Sequence, residues 1–286
     1  MQMHVELAQL RCKDGDKAHN VSCAVNAIRQ CADSSQMLVL PELFLTGFPT
    51  MTNVASLAER IDGPSIASIQ VAARVKNVSV VVGFVESDAN RYYNTTVLVT
   101  PDGKTALRYR KTHLFFGERD VFTPGDRLST TLWQGIRIGL LICYDIEFPE
   151  TSRVLAQLGA DVFIVTNGNM DPYGPVHRSC IVARALENQA FAVMSNRVGA
   201  GEGQYVFAGG SAAVDPFGVI LKEAGRYEET IQVQLNLARL QSARTTYIYS
   251  EDQRLRMPGE IRVDGDIRHF LIPTEVTDNP SPTRAT

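Results

Sequence analysis

IRIGLLICYDIEFPETSRVLAQLGADVFIVT, residues 136–166, holds one complete strand–helix–strand unit. Ile136 to Ile142 is an apolar run of strand length, Pro149 to Leu158 has the character of a helix, and Val162 to Thr166 is a second apolar strand. That order requires a crossover between neighbouring strands of one sheet. Downstream the rhythm continues, with a helix over Gly174 to Asn188, a strand over Phe191 to Ser195, and a hairpin. The hairpin joins Ser211–Val214 to Val219–Leu221 through Asp215, Pro216, Phe217 and Gly218. Upstream, Val5, Leu7 and Leu10 mark a first strand, and Val21, Ala24, Val25 and Ile28 repeat at helical spacing. Met37 to Leu40 forms a short buried strand ending at Pro41. Gly63 and Pro64 open a helix with Ile66, Ile69 and Ala73 on one face. Val78 to Val85, Arg91 to Val99 and Leu107 to Lys111 read as strands, the last two joined by a turn at Pro101, Asp102 and Gly103. Crossovers and hairpins together predict an α/β fold with mixed sheets.

The chain has 286 residues, 44% of them hydrophobic and 21% charged, and no linker or repeat divides residues 1–275. A single domain is predicted over 1–275, with a flexible polar tail over 276–286. Twenty-eight basic residues against 31 acidic ones give a net charge of -3, with no basic run to follow a phosphate backbone. Nucleic acid is thereby excluded as a partner. No stretch has the length and apolarity of a membrane span. Met3 to Leu10 alternates at once instead of showing a charged region, an apolar run and a cleavage site, which predicts a cytoplasmic protein. Five cysteines, an odd number without paired short spacings, argue against a disulfide framework or a structural metal. The five histidines are isolated, and His113 stands out only for its nearness to Lys111.

Three apolar strands end in reactive residues, where open α/β folds place their sites. They are Val39-Leu40-Pro41-Glu42-Leu43-Phe44, Tyr109-Arg110-Lys111-Thr112-His113-Leu114-Phe115 and Leu140-Leu141-Ile142-Cys143-Tyr144-Asp145. If these strand ends meet, a carboxylate, an ammonium and a thiol converge. That trio suits amide cleavage: Glu42 takes the thiol proton, Cys143 attacks, and Lys111 with the N–H of Tyr144 faces the oxyanion. Glu42 then returns the proton to departing ammonia and activates the water that cleaves the thioester. The scheme requires no cofactor.

The three segments resemble those of the carbon–nitrogen hydrolase family, the nitrilase superfamily, over Met3 to about Tyr249. Pro41-Glu42 with Gly47-Phe48 is similar to its base segment, Tyr109 to Leu114 to its lysine segment, and Cys143-Tyr144-Asp145 with Pro149-Glu150 to its nucleophile segment. The resemblance implies a four-layer αββα sandwich, assembly into a homodimer or higher homo-oligomer, and a second glutamate at Glu118, which orients Lys111 and the attacking water. Cys143-Tyr144-Asp145 resembles the amidase branches more than the nitrilase or carbamoyl-hydrolase branches. The ω-amidases tend to carry Arg where this chain has Glu147. An acid there disfavours an anionic substrate and suits a neutral amide or an amino acid amide. Asn169-Met170-Asp171-Pro172-Tyr173-Gly174-Pro175-Val176-His177-Arg178 and Phe207-Ala208-Gly209-Gly210 resemble the bacterial R-stereoselective amidases. Tyr144, Glu147, Asn169, Met170, Tyr173 and Phe116 are the expected substrate-binding residues. The rival readings are an N-carbamoyl amide hydrolase, an ω-amidase, and a non-enzymatic sensor using Cys143 as a reactive thiol.

Overall fold

Side chains alternate across each short strand, and here both faces are buried. In the strand Met37–Val39, Met37 and Val39 join one apolar cluster while Leu38 joins another on the opposite face. A computed structural model describes residues 1–201, 203 and 205–273. The expected tail, 276–286, and the domain limit at 275 lie outside the described residues.

The strands, in chain order, are β1 (Gln2–Gln9), β2 (Met37–Val39), β3 (Ser79–Asp88), β4 (Arg91–Val99), β5 (Thr105–Arg110), β6 (Arg127–Trp133), β7 (Ile136–Ile142) and β8 (Val162–Asn167). After them come β9 (Phe191–Asn196), β10 (Val198–Ala200), β11 (Val206–Ala208), β12 (Ala212–Val214), β13 (Ile220–Glu223), β14 (Glu229–Asn236), β15 (Glu260–Asp264) and β16 (Ile267–Leu271). The helices are α1 (Lys17–Gln30), α2 (Val54–Leu57), α3 (Pro64–Lys76), α4 (Glu118–Val121), α5 (Pro149–Gln157), α6 (Gly174–Asn188), α7 (Ala238–Thr246) and α8 (Tyr249–Asp252).

Two mixed sheets result. The first runs β14-β1-β2-β3-β4-β5, parallel from β1 to β3 and antiparallel elsewhere. The second runs β13-β12-β9-β8-β7-β6-β16-β15, parallel from β7 to β9. Val5, Val39, Val81 and Leu98 of the first sheet share a core with Leu140, Phe163 and Val193 of the second. Ile28 of α1 and Ile66 and Ile69 of α3 cover the outer face of the first sheet through Leu38, Val80 and Val82. Ile181 and Ala185 of α6, with Val154 and Leu155 of α5, pack against the second. These are the four layers of an αββα sandwich. Burying a side chain such as Leu140 or Val81 is worth about 1.5–3 kcal/mol, so the interface between the sheets is the main apolar stabiliser.

The crossover over residues 136–166 forms as read. Leu10 falls beyond β1. The elements not assigned from sequence are β6, β10, β11, β14, the β15–β16 hairpin, α7 and the four-residue helices α2, α4 and α8. Strand β14 carried a visible alternation, with Ile231, Val233 and Leu235 buried and polar residues between them. In β6, Ser129, Thr130 and Thr131 are buried despite their polarity, so hydrophobic patterning could not find it.

Candidate active site

Glu42 lies in a sharp bend after β2. The Leu40 N–H still donates to Val81 O at 2.9 Å, after which Leu43 turns to a φ of 48°. The bend presses against β3, where a Cβ on Gly83 would lie 2.5 Å from the Leu43 nitrogen. Only glycine allows that approach. On its other side the Glu42 N–H donates to Asn167 O at 3.2 Å, joining the bend to the end of β8 in the opposite sheet.

Cys143 directly follows β7 with a φ of 45° and begins a 3-10 turn over Cys143–Glu147. A positive φ at a non-glycine residue is strained and turns the side chain away from the strand line. Asp145 holds this turn against the segment carrying Lys111. Its buried carboxylate accepts from Tyr109 Oη (2.7 Å), Thr112 Oγ1 (2.9 Å), the His113 N–H (2.9 Å) and the Ile142 N–H (3.2 Å). His113 thus packs against Asp145, stacked on Phe148 at 4.0 Å, and is absent from the cavity lining described below.

Lys111 follows β5, its N–H bonded to Asn94 O at 2.9 Å. Its buried Nζ donates to Glu42 Oε1 and to Glu118 Oε2, both at 2.7 Å. Asn94 makes a second bridge, its Nδ2 donating to Glu42 Oε1 at 2.8 Å and to Glu118 Oε1 at 2.9 Å. The Phe115 N–H also donates to Glu118 Oε2, at 2.7 Å. One oxygen of Glu42 is therefore held by two donors. The other, Oε2, is buried without a hydrogen-bond partner among the described residues and faces Gly168, where a Cβ would stand 2.6 Å away.

The electrostatics follow from burial and from one cation among two anions. Burial and the neighbouring Glu118 raise the Glu42 carboxyl, while Lys111 and Asn94 hold it down, and the net shift is upward. Burial lowers Lys111, but Glu118 and Glu42 outweigh it and keep the ammonium protonated well past its ordinary range. The Cys143 thiol is pushed up by burial and then by Glu42, against the pull of Lys111 and the Gly168 N–H. Burial thus favours the protonated thiol and raises the basicity of the Glu42 carboxyl.

These groups form the floor of a cavity of about 450 Å³. Glu42, Lys111, Glu118 and Cys143 line it, as do Tyr144, Glu147, Asn169, Met170, Tyr173 and Phe116, so every expected catalytic and substrate-binding residue reaches it, and His113 does not. Phe115 stands edge-on to Tyr144 at 5.2 Å and to Phe116 at 4.7 Å, making one apolar wall. Opposite, Phe48 stacks on Phe207 at 5.7 Å, with the buried Arg197 guanidinium 4.1 Å over Phe207 and paired to Asp14 at 2.7 Å. Sequence reasoning did not assign site roles to Asn94, His177, Phe48 or Phe207. The last three stood within quoted motifs, whereas Asn94 lies inside a strand and carried no signal.

A family model described as carbon-nitrogen hydrolase matches residues 4–245. The chain belongs to the carbon–nitrogen hydrolase family. Among similar relatives of this carbon–nitrogen hydrolase, the (R)-stereoselective amidase of a Pseudomonas species is 56% identical over 270 residues, 94% of this chain and 98% of that one. The human omega-amidase NIT2 is 31% identical, over 80% of this chain and 87% of its own length. A solved structure of the amidase from Nesterenkonia sp. AN1 superposes with a TM-score of 0.79 at 28% identity, covering 88% of this chain and 94% of that one. That mutant enzyme carries covalent addition of the acetamide moiety of fluoroacetamide at its active-site cysteine.

Proposed function

We propose that this carbon–nitrogen hydrolase is an amidase that cleaves a small carboxamide, preferably one bearing an amino group beside the amide, to the carboxylic acid and ammonia. The observation that carries the reading is the Glu42–Lys111–Glu118 cluster beside Cys143 on the floor of one cavity. Glu42 takes the thiol proton through its free Oε2 as the sulfur attacks the amide carbon. The oxyanion that forms is met by the Lys111 ammonium and the Tyr144 N–H. Protonated Glu42 delivers its proton to the nitrogen as the C–N bond breaks, leaving a thioester on Cys143. Water, deprotonated by Glu42, then cleaves the thioester and restores the thiol. Glu118 fixes Lys111 and helps align the water.

The lining charges favour an amine-bearing substrate. Asp14, Glu42, Glu118, Asp120 and Glu147 are acidic, Lys111 is the one lysine, and no arginine lines the cavity among the described residues. An ω-amidase substrate would bring a second anion with no guanidinium to receive it. The 56% identical relative, an (R)-stereoselective amidase, supports an amide with a chiral centre as the substrate class.

The test is ammonia release from both hands of prolinamide, a glutaramate-type amide, an aliphatic amide, a nitrile and an N-carbamoyl compound, with Cys143→Ala alongside. The expected result is Cys143-dependent release that is fastest for the amino acid amide. Equal or faster turnover of the acidic amide would overturn the amine preference. Release of carbon dioxide with ammonia from the carbamoyl compound alone would replace the amidase reading.

A further inference from the structure

His177 of α6 is buried and has no part in the scheme above, yet it touches the cavity wall. Its Nε2 lies 3.1 Å from Glu147 Oε1, and its Nδ1 lies 3.0 Å from Asn167 Oδ1. A carboxylate only accepts, so the Nε2–H is the donor to Glu147. Asn167 Oδ1 is an acceptor as well, so the Nε2–H bond to Glu147 fixes the ring, and the Nδ1 contact is a second hydrogen bond only in the doubly protonated ring. Asn167 is itself fixed at the end of β8, where its backbone oxygen receives the Glu42 N–H at 3.2 Å and the Arg197 N–H at 3.1 Å. The Glu147 side chain keeps 31% of its surface exposed, and among the described residues no donor meets its Oε2. Cys143 and Glu147 are the two ends of one 3-10 turn. At the usual rise of such a turn they stand about 8 Å apart along its axis.

We propose that His177 is a specificity-determining residue of an ammonium subsite. It holds Glu147 by one oxygen and presents the other to the amino group of the substrate at a fixed offset from Cys143. A glutamate at the end of a turn would otherwise sample several rotamers, most of them directed into solvent. Fixing one before the substrate arrives removes that ordering cost from binding. The inference rests on the reading that the substrate bears an amine.

The experiment compares prolinamide with cyclopentanecarboxamide, which has the same ring without the nitrogen. Wild type, Glu147→Gln, His177→Ala and His177→Gln are assayed on both by kcat and KM. The wild type is expected to favour prolinamide. In His177→Ala the ratio of kcat/KM values, prolinamide over its carbon isostere, should fall tenfold or more, chiefly through KM. His177→Gln, which keeps a terminal N–H donor, should recover part of the ratio and guards against a folding defect. If His177→Ala lowers both substrates equally, or leaves the ratio intact while Glu147→Gln collapses it, the role of His177 is refuted and the amine reading stands. If the wild type hydrolyses both equally, the amine reading fails and the subsite with it.

Discussion

Asn94 shows at the scale of one residue what a sequence hides. Tyr92-Tyr93-Asn94-Thr95 reads as an ordinary half-polar strand, and only the folded chain reveals that the amide bridges two carboxylates, one from the bend after β2 and one from α4. Glu42, Lys111 and Cys143 were legible through their joint context, a carboxylate, an ammonium and a thiol at three strand ends whose segments together resemble one family. Glu42 must be ionised to take a proton, so kcat/KM should rise with pH through an acid limb set by this carboxyl. Burial places that limb above the ordinary glutamate range. Asn94 hydrogen-bonds the ionised form and so pulls the limb down. Asn94→Ala should therefore shift it to higher pH and lower kcat by about 10- to 100-fold. A pH–rate profile checks both, and a limb that stays in place would show that the bridge does not govern Glu42.

At the scale of elements, the reactive side chains depend on how closely loops approach strands. The apolar runs of β2 and β7 told where strands end to within a residue, because such runs have few other readings, whereas β3 runs on from Val85 to Asp88. They did not tell how tightly the Glu42 bend packs on β3, since Gly83 looks like any small residue in a strand. A Cβ there would collide with backbone at Leu43, which cannot rotate aside. Gly83→Ala should cost about 1–3 kcal/mol of stability and displace Glu42, lowering activity beyond the loss of folded protein. Thermal unfolding followed beside specific activity measures the two effects separately. An unchanged melting temperature with full activity would mean that the bend has room to yield.

At the scale of the whole molecule, the site belongs to neither sheet alone. Glu42 and Lys111 follow strands of the first sheet, and Cys143 follows a strand of the second. The sandwich was legible through the family resemblance, while β6 was not, because its Ser129, Thr130 and Thr131 are buried despite their polarity. The single tryptophan reports on the joint, for Trp133 Nε1 on β6 donates to Ser79 Oγ on β3 at 2.9 Å. If the sheets separate in one cooperative step, Trp133 fluorescence and amidase activity should vanish at the same urea concentration. Activity lost well before the fluorescence change would instead reveal local opening around the cavity.

No helix among the described residues is long and apolar enough to cross a membrane. What such an enzyme does over time follows from Oε2 of Glu42, the one oxygen of that carboxylate left unengaged. In the proposed scheme both half-reactions draw on that single berth. Ammonia must clear it before the hydrolytic water can dock, so the order of events is enforced by occupancy. A product amine slow to depart would hold the acylated enzyme idle, and any added amine that lingers there would compete with water for the waiting thioester.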